Sequence, residues 1–247
     1  MKTVFINCSP KKKFTASSYF IFLSKLFIKD KKVKETLRTP ADHDRILEQI
    51  RDADNVVFAV PLYVDGIPSH VLGFLEKAES FCRENSISFN VYVVANNGFI
   101  EGKQNEPLMR HFSNFCSRAG LDFMGGVGIG GGVMLNVTRI LFFVDIALIV
   151  LNTILSVIHT GNFFPKDPWI SFLENAVILL FLNFGVLFYL IRMGINLNRG
   201  RDNGKKYTRI MIPSFIFIIF ADIFFIIISI FEGGIFRGWF ARKKYEG

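Results

Sequence analysis

Three short segments carry the residue types from which a site for a phosphorylated, ring-bearing ligand can be assembled. The first is Cys8-Ser9-Pro10-Lys11-Lys12-Lys13-Phe14-Thr15-Ala16-Ser17-Ser18. It joins an apolar, β-branched run to a helical pattern, so its end lies at a helix N-terminus. Backbone amides there lack partners within the helix, and the helix dipole favours an anion. The hydroxyls of Ser9, Ser17 and Ser18, with the ammonium of Lys11, complete a cradle of the kind a phosphate needs. The second segment, Ala59-Val60-Pro61-Leu62-Tyr63-Val64-Asp65-Gly66-Ile67-Pro68, gives a flat ring an apolar turn and an aromatic to lie against. The third, Asn96-Asn97-Gly98-Phe99, adds amides and a glycine that lets backbone approach closely. Plainer readings stand beside these: a capped helix behind a solvated basic turn, and a rigid Pro-Gly-Pro loop around a packed tyrosine.

The elements between these segments must bring them to one place. Thr3 to Asn7 reads as a strand, and from Ser17 a helix shows apolar positions at Phe20, Leu23, Leu26 and Phe27. Thr15, Ser17 or Ser18 can cap it. Residues 33–37 carry a weak strand signal, followed by an amphipathic helix over 42–52. Asn55 to Val60 is a continuous apolar run, as expected of a strand buried on both faces. A helix beginning near Pro68, a strand from Phe89 to Ala95, a helix from Pro107 to Ala119 and a last strand from Leu121 to Val127 complete the pattern. Strands alternating with helices at this spacing predict a doubly wound, parallel, five-stranded α/β sheet. Such sheets bind ligands at the carboxyl ends of their strands, and all three segments fall at such ends. The glycine run 125–132 follows the last strand and lacks an acidic residue about 20 positions on, so it is read as a connector or a tight strand-to-helix turn rather than a dinucleotide fingerprint.

Roughly the first 130 residues resemble the NAD(P)H-dependent FMN reductase family of flavodoxin-like proteins. The resemblance rests on Ser9-Pro10-Lys11 after the first strand, on Ala53-Asp54 through Pro61-Leu62-Tyr63 to Ile67-Pro68 and Phe74, and on the glycines from Gly125 to Gly132. The phosphate loop departs from the family pattern, with Cys8 for the usual Gly, Lys11 for Arg, and Ala16-Ser17-Ser18 where Ser-Asn-Thr is typical. The resemblance implies a flavodoxin-like fold with FMN as cofactor and NAD(P)H as electron donor. It gives the phosphate to Ser9, Lys11, Ser17 and Ser18. It gives the isoalloxazine to Pro61, Leu62, Tyr63 and Val64, and to Asn96, Asn97, Gly98 and Phe99. Hydride chemistry belongs to the flavin, so no protein side chain is assigned a catalytic role. His43, His70, His111 and His159 are scattered, and only His70, just behind the Pro-Leu-Tyr turn, invites a test. Cys8, Cys82 and Cys116 show no paired spacing, so neither metal nor cluster is expected.

Composition divides the chain. Of its 247 residues 51% are hydrophobic, 29 are phenylalanine, and the long apolar runs lie beyond residue 132. The net charge of +8 is spread as 17 basic against 14 acidic residues in 1–132 and 12 against 7 in 133–247. Most of the second excess flanks apolar runs, where it suits lipid headgroups, and no basic stripe with exposed aromatics suggests nucleic acid. The expected organisation is a flavodoxin-like domain over 1–132 and a transmembrane helical region over 133–247, with spans at 140–158, 169–191 and 211–231. The N-terminal apolar run is too short for a signal peptide, which leaves the first domain cytoplasmic on a cell membrane. The basic residues between 192 and 209 belong on the same side by the positive-inside rule. Two crossings before them close the topology; alternatively 140–158 is the last helix of the sheet domain. Asp145, Asn152, Asn183 and Asp222 fall within the apolar runs, where they either serve function or bond neighbouring helices.

The expected function is that of a membrane-anchored flavoprotein oxidoreductase. Its partners would be the lipid bilayer and a small acceptor such as a quinone, or a membrane redox protein, and the family resemblance also allows a homodimer. The alternative is a non-enzymatic flavodoxin-like module that senses redox state or recruits a partner.

Overall fold

A computed structural model describes residues 1–12, 15–29, 31–63, 66–161, 163 and 166–231. Val64 of the second segment and the basic tail with Arg237, Arg242, Lys243 and Lys244 lie outside the described residues. The chain forms β1 (Lys2–Asn7), α1 (Ala16–Leu26), β2 (Lys31–Thr36), α2 (His43–Ile50), β3 (Asn55–Pro61), α3 (Ser69–Glu84), β4 (Asn90–Asn96), α4 (Glu106–Ala119), β5 (Asp122–Gly130), α5 (Gly132–Thr160), α6 (Lys166–Asn198), β6 (Lys205–Arg209) and α7 (Ser214–Phe231).

The sheet order is β2-β1-β3-β4-β5-β6, and every neighbouring pair is parallel. The first five strands follow the flavodoxin-like order, with its switch point between β1 and β3. The sheet has six strands, not the five expected. β6 comes from Lys205-Lys206-Tyr207-Thr208-Arg209, a stretch that reads as part of a basic loop between spans. Both edge strands are lysine-rich, Lys31-Lys32-Val33-Lys34 in β2 and Lys205-Lys206 in β6. Charge at an edge discourages pairing with another chain and hides the strand from hydrophobic patterning. The central β3 is buried along its whole length.

Successive strand residues face opposite sides. Val4, Ile6, Val56, Phe58, Val91 and Val93 meet Ile46 and Ile50 of α2, Phe74 of α3, and Phe112 and Phe115 of α4 in one apolar layer. The other face is covered by α1 and, unexpectedly, by the second half of α6, where Val186, Leu190, Met193 and Leu197 are buried. Asn198 pins this half to the end of α1: its Oδ1 accepts from Lys29 N at 3.0 Å and its Nδ2 donates to Phe27 O at 2.8 Å. Gly194 packs so closely that a Cβ there would come within 2.9 Å of Phe27 Cβ. The turn that follows is tied down by Asn203, whose Nδ2 donates to Gly126 O at 3.2 Å, and by Tyr92, whose hydroxyl donates to Arg201 O at 3.1 Å.

Of the two readings of the glycine run, the tight strand-to-helix turn is the one formed, and most of the run lies within the last strand. β5 continues through Gly130, and Gly131, in the left-handed region at φ 73°, turns it into α5. Glycine is needed within the strand because other backbone lies against it: a Cβ on Gly126 would fall 2.0 Å from Val93 O. The register between β4 and β5 shifts at the same place.

Two helices are long and apolar enough to cross a membrane, over Leu141–Thr160 and Pro168–Asn198; the first matches the stretch expected at 140–158 to within two residues at each end, and the second contains that expected at 169–191. Only 6% of the most apolar window in the first and 22% of that in the second is buried, so both helices are largely uncovered by the sheet domain, apart from the second half of α6, which packs against it. At 20 residues the first is about 30 Å long, the thickness of a bilayer's hydrocarbon. The remainder, from Ile212, forms a separate compact unit that contains the apolar helix α7.

Candidate functional site

The carboxyl ends of β1, β3 and β4 bring the three sequence segments to one cleft. Its lining consists of Ser9, Lys11, Thr15, Ala16 and Ser17 from the first, Pro61, Leu62 and Tyr63 from the second, Asn96, Asn97 and Gly98 from the third, and Gly132 from the start of α5. Its volume is about 110 Å³. Of the residues expected there, Ser18 turns away, its Oγ 3.4 Å from Lys34 Nζ of β2, and Phe99 stands outside the lining with 52% of its surface exposed.

One side chain ties the three ends together. Asn96, almost fully buried, donates from Nδ2 to Ser17 Oγ at 3.1 Å and to Val60 O at 3.3 Å. Its carbonyl also accepts from Leu62 N at 2.7 Å. Asn97 continues the seam, with its amide donating to Ile129 O and its carbonyl accepting from Gly132 N at 2.8 Å. Asn97 Nδ2 donates to Glu101 O, whereas its buried Oδ1 has no partner among the described residues. A buried acceptor left unpaired costs about 1–3 kcal/mol, so this oxygen beside the cleft fits a ligand that brings a donor. Among the lining residues, Thr15, Ala16 and Gly132 carry no site signal in the sequence. Thr15 had a signal as a helix cap, and Gly132 is the last glycine of its run.

The first segment ends at the N-terminus of α1. Thr15 caps α1, its side-chain oxygen accepting from Ser18 N at 3.1 Å. Tyr19 N bonds Thr15 O, while the amides of Ala16 and Ser17 take no partner among the described residues. Those two free amides at a helix N-terminus, with Lys11 exposed beside them, suit a phosphate. Two side chains hold the loop from behind. Arg38 donates from Nη2 to the carbonyls of Lys11 and Lys12 at 3.2 and 3.3 Å, and His70, at the start of α3, donates from Nε2 to Cys8 O at 3.0 Å. Arg38 is set in turn by Asp42, whose Oδ2 accepts from the amides of Arg38 and Thr39. Burial pushes the Asp42 carboxyl upward, but those two amides and the Thr39 hydroxyl outweigh it and hold the group below its usual range.

Cys8, in the place of the family's glycine, is fully buried and turned inward, its Sγ 3.7 Å from Ile6 O. Burial raises its thiol far above the ordinary range, so it is inert in the folded protein. The second segment is closed by paired bonds between Tyr63 and Gly66, at 3.1 Å from Tyr63 N to Gly66 O and 2.9 Å in return. This leaves Tyr63 exposed at the cleft mouth. Among the described residues no three His, Cys, Asp or Glu gather as a metal site.

The strand order defines a flavodoxin-like α/β fold, with this cleft at the carboxyl end of its sheet. No family model matches the chain, and no curated protein matches it. Solved structures do. The Trp repressor binding protein from Bacillus subtilis is 20% identical, over 52% of this chain and 84% of its own, with a TM-score of 0.44. The NAD(P)H:quinone oxidoreductase from Methanothermobacter marburgensis is 14% identical, over 80% of this chain and 96% of its own, also at 0.44. General stress protein 14 from Treponema denticola, solved in complex with FMN, is 13% identical over 51% and 84%, at 0.41.

Proposed function

We propose that this chain is a membrane-anchored flavoprotein that binds FMN in the cleft and passes electrons from NAD(P)H to a quinone, another small acceptor or a membrane redox partner. The observation that carries the reading is the convergence of an anion site with an unpaired amide oxygen. Free amides of Ala16 and Ser17, the hydroxyls of Ser9 and Ser17 and the ammonium of Lys11 would hold the phosphate. Asn97 would offer its Oδ1 to the N–H edge of a ring, and Tyr63 would flank the ring at the mouth. Ser18 and Phe99, which do not line the cleft, drop out of the first contacts. FMN supplies the hydride chemistry when bound. The chain's own residues fix its position: His70 and Arg38 stiffen the phosphate loop, and Asn96 locks that loop to the Pro61 turn.

The apolar helices support the anchoring. Leu141, Phe143, Leu151, Ile154, Leu155 and Ile158 on α5, and Leu173, Val177, Ile178 and Phe181 on α6, are all exposed. An apolar surface of this extent belongs in lipid rather than in water. With β6 back in the sheet beyond α6, both sides of the helix pair return to the same domain, which fits two crossings and a sheet domain on the cytoplasmic side.

Detergent-purified protein should be yellow, bleach on adding NAD(P)H, and lose colour when Ser9→Ala is combined with Ser17→Ala. A protein that stays colourless in excess FMN would instead favour the module that recruits a partner without chemistry.

A further inference from the structure

We infer that the carboxyl end of the sheet, with the cleft, lies against the anionic headgroup surface of the bilayer; this rests on α5 and α6 being membrane spans. The direction of α6 follows from its contacts. Leu182 O accepts from Met211 N at 2.9 Å, two residues past the end of β6, and Gly185 lies against Thr208. Asn198, sixteen residues on, binds Phe27 and Lys29, at the opposite end of the sheet. The helix therefore descends from the carboxyl end to the amino end, and its first half, before Leu182, rises above the carboxyl end.

α5 rises with it. Gly132 begins α5 inside the cleft lining, its amide bonded to Asn97 O, and Phe142 meets Phe172 with ring centroids 6.3 Å apart. Phe172 lies ten residues before Leu182, about 15 Å along a helix axis. Both apolar helices thus leave the domain from the end that carries the cleft.

The lipid boundary comes down to that end rather than stopping above it. On α5 the apolar stretch begins at Leu141, about 14 Å beyond Gly132. On α6, however, Phe181, Phe184 and Phe188 are exposed at and just below the level of Leu182, with the last two stacked at 6.2 Å. Tyr63 and Phe99 add exposed rings to the same end, and Lys11 and Lys12 add exposed charge. Aromatic rings with basic side chains mark the depth at which a protein meets anionic headgroups. A cleft placed there draws its acceptor from molecules dissolved in the bilayer.

Site-directed fluorescence settles the orientation. The native cysteines are buried, so single cysteines introduced at exposed positions take a bimane label selectively. Full-length Phe99→Cys, Glu84→Cys, Phe22→Cys and Leu151→Cys proteins are reconstituted into phosphatidylcholine–phosphatidylglycerol vesicles. Nitroxide lipids labelled at the headgroup or deep in the acyl chain serve as quenchers. Leu151 should be quenched by the deep probe, and Phe99 by the headgroup probe at least about twice as strongly as Glu84, which ends α3 at the far end of the sheet. Phe99 quenched no more than Glu84, with Leu151 quenched deeply, overturns the inference and leaves the anchor standing. So does stronger headgroup quenching at Phe22, an exposed residue on the flank of α1. Leu151 left unquenched by lipid overturns the anchor and the inference together.

Discussion

Replacing Asn96 with Ala tests whether the three strand ends act as one site. The variant removes two bonds from a buried side chain, 3.1 Å to Ser17 Oγ and 3.3 Å to Val60 O. At a net 0.5–1.5 kcal/mol each, the loss is about 1–3 kcal/mol of stability. For a chain of this size that lowers the melting temperature by roughly 2–12 °C. The loss should also reach the ligand, because the bond to Ser17 holds the first turn of α1 against the Pro61 loop. If about 1–2 kcal/mol of it is felt in binding, FMN affinity falls about 5- to 30-fold. Asn105→Ala is the matched control. Asn105 is fully buried at the same end of the sheet and donates to Gly102 O at 3.0 Å and Ile129 O at 3.3 Å, yet does not line the cleft. Thermal melts in detergent should show similar losses for the two variants, and fluorescence titration with FMN should show a loss for Asn96→Ala alone. Equal loss of affinity in both, or a destabilised Asn96→Ala that binds FMN normally, would refute the coupling.

His70→Ala should loosen the phosphate loop and weaken FMN binding by about 2- to 12-fold, the equivalent of one hydrogen bond. His70→Gln, which keeps a donor near the position of Nε2, should recover most of it in the same titration. Cys8, Cys82 and Cys116 should resist maleimide in the native protein and react together on unfolding, as a mass-spectrometric time course would show. Burial raises all three thiols, Cys82 to about 11 and Cys116 to about 12, with Asp122 adding to the effect at Cys116. Stability should also fall as pH drops below about 6.5, the ordinary histidine value. His43 is depressed first by burial and then by Lys77, so the unfolded chain gains its proton before the folded one does. Melts over pH 7 to 5 should be flatter in His43→Phe, whose ring can keep the edge contact with Phe74. Some slope should remain from His111, depressed by burial and by Arg118. An unchanged slope would remove His43 from the account.

Local chemistry was legible wherever one segment sufficed to specify it. The apolar run of β3 is buried on both faces, the α4 pattern closes on Gly120 in the left-handed region at φ 71°, and Ser9, Lys11, Ser17, Pro61, Tyr63, Asn96 and Asn97 could be assigned to strand ends before any fold was known. The apolar character of 140–158 and 169–191 likewise follows from composition alone. What only the tertiary structure decided are contacts whose energy lies in another part of the chain. β6 has no hydrophobic pattern of its own; it becomes a strand because β5 offers an open edge to its backbone. The glycines from 125 to 132 read as a connector or a tight turn, and only the backbone of Val93 pressed against Gly126 shows that the first of them belong to the strand. Ser18 points outward and Ser17 inward because a helix turns about 100° per residue, and only the packed position of α1 says which of the two faces Asn96. Val186, Leu190, Met193 and Leu197 in the buried half of α6 are no less apolar than the residues its exposed half presents. Only the surfaces around it, sheet and α1 for one and none within the domain for the other, distinguish a core helix from a membrane span.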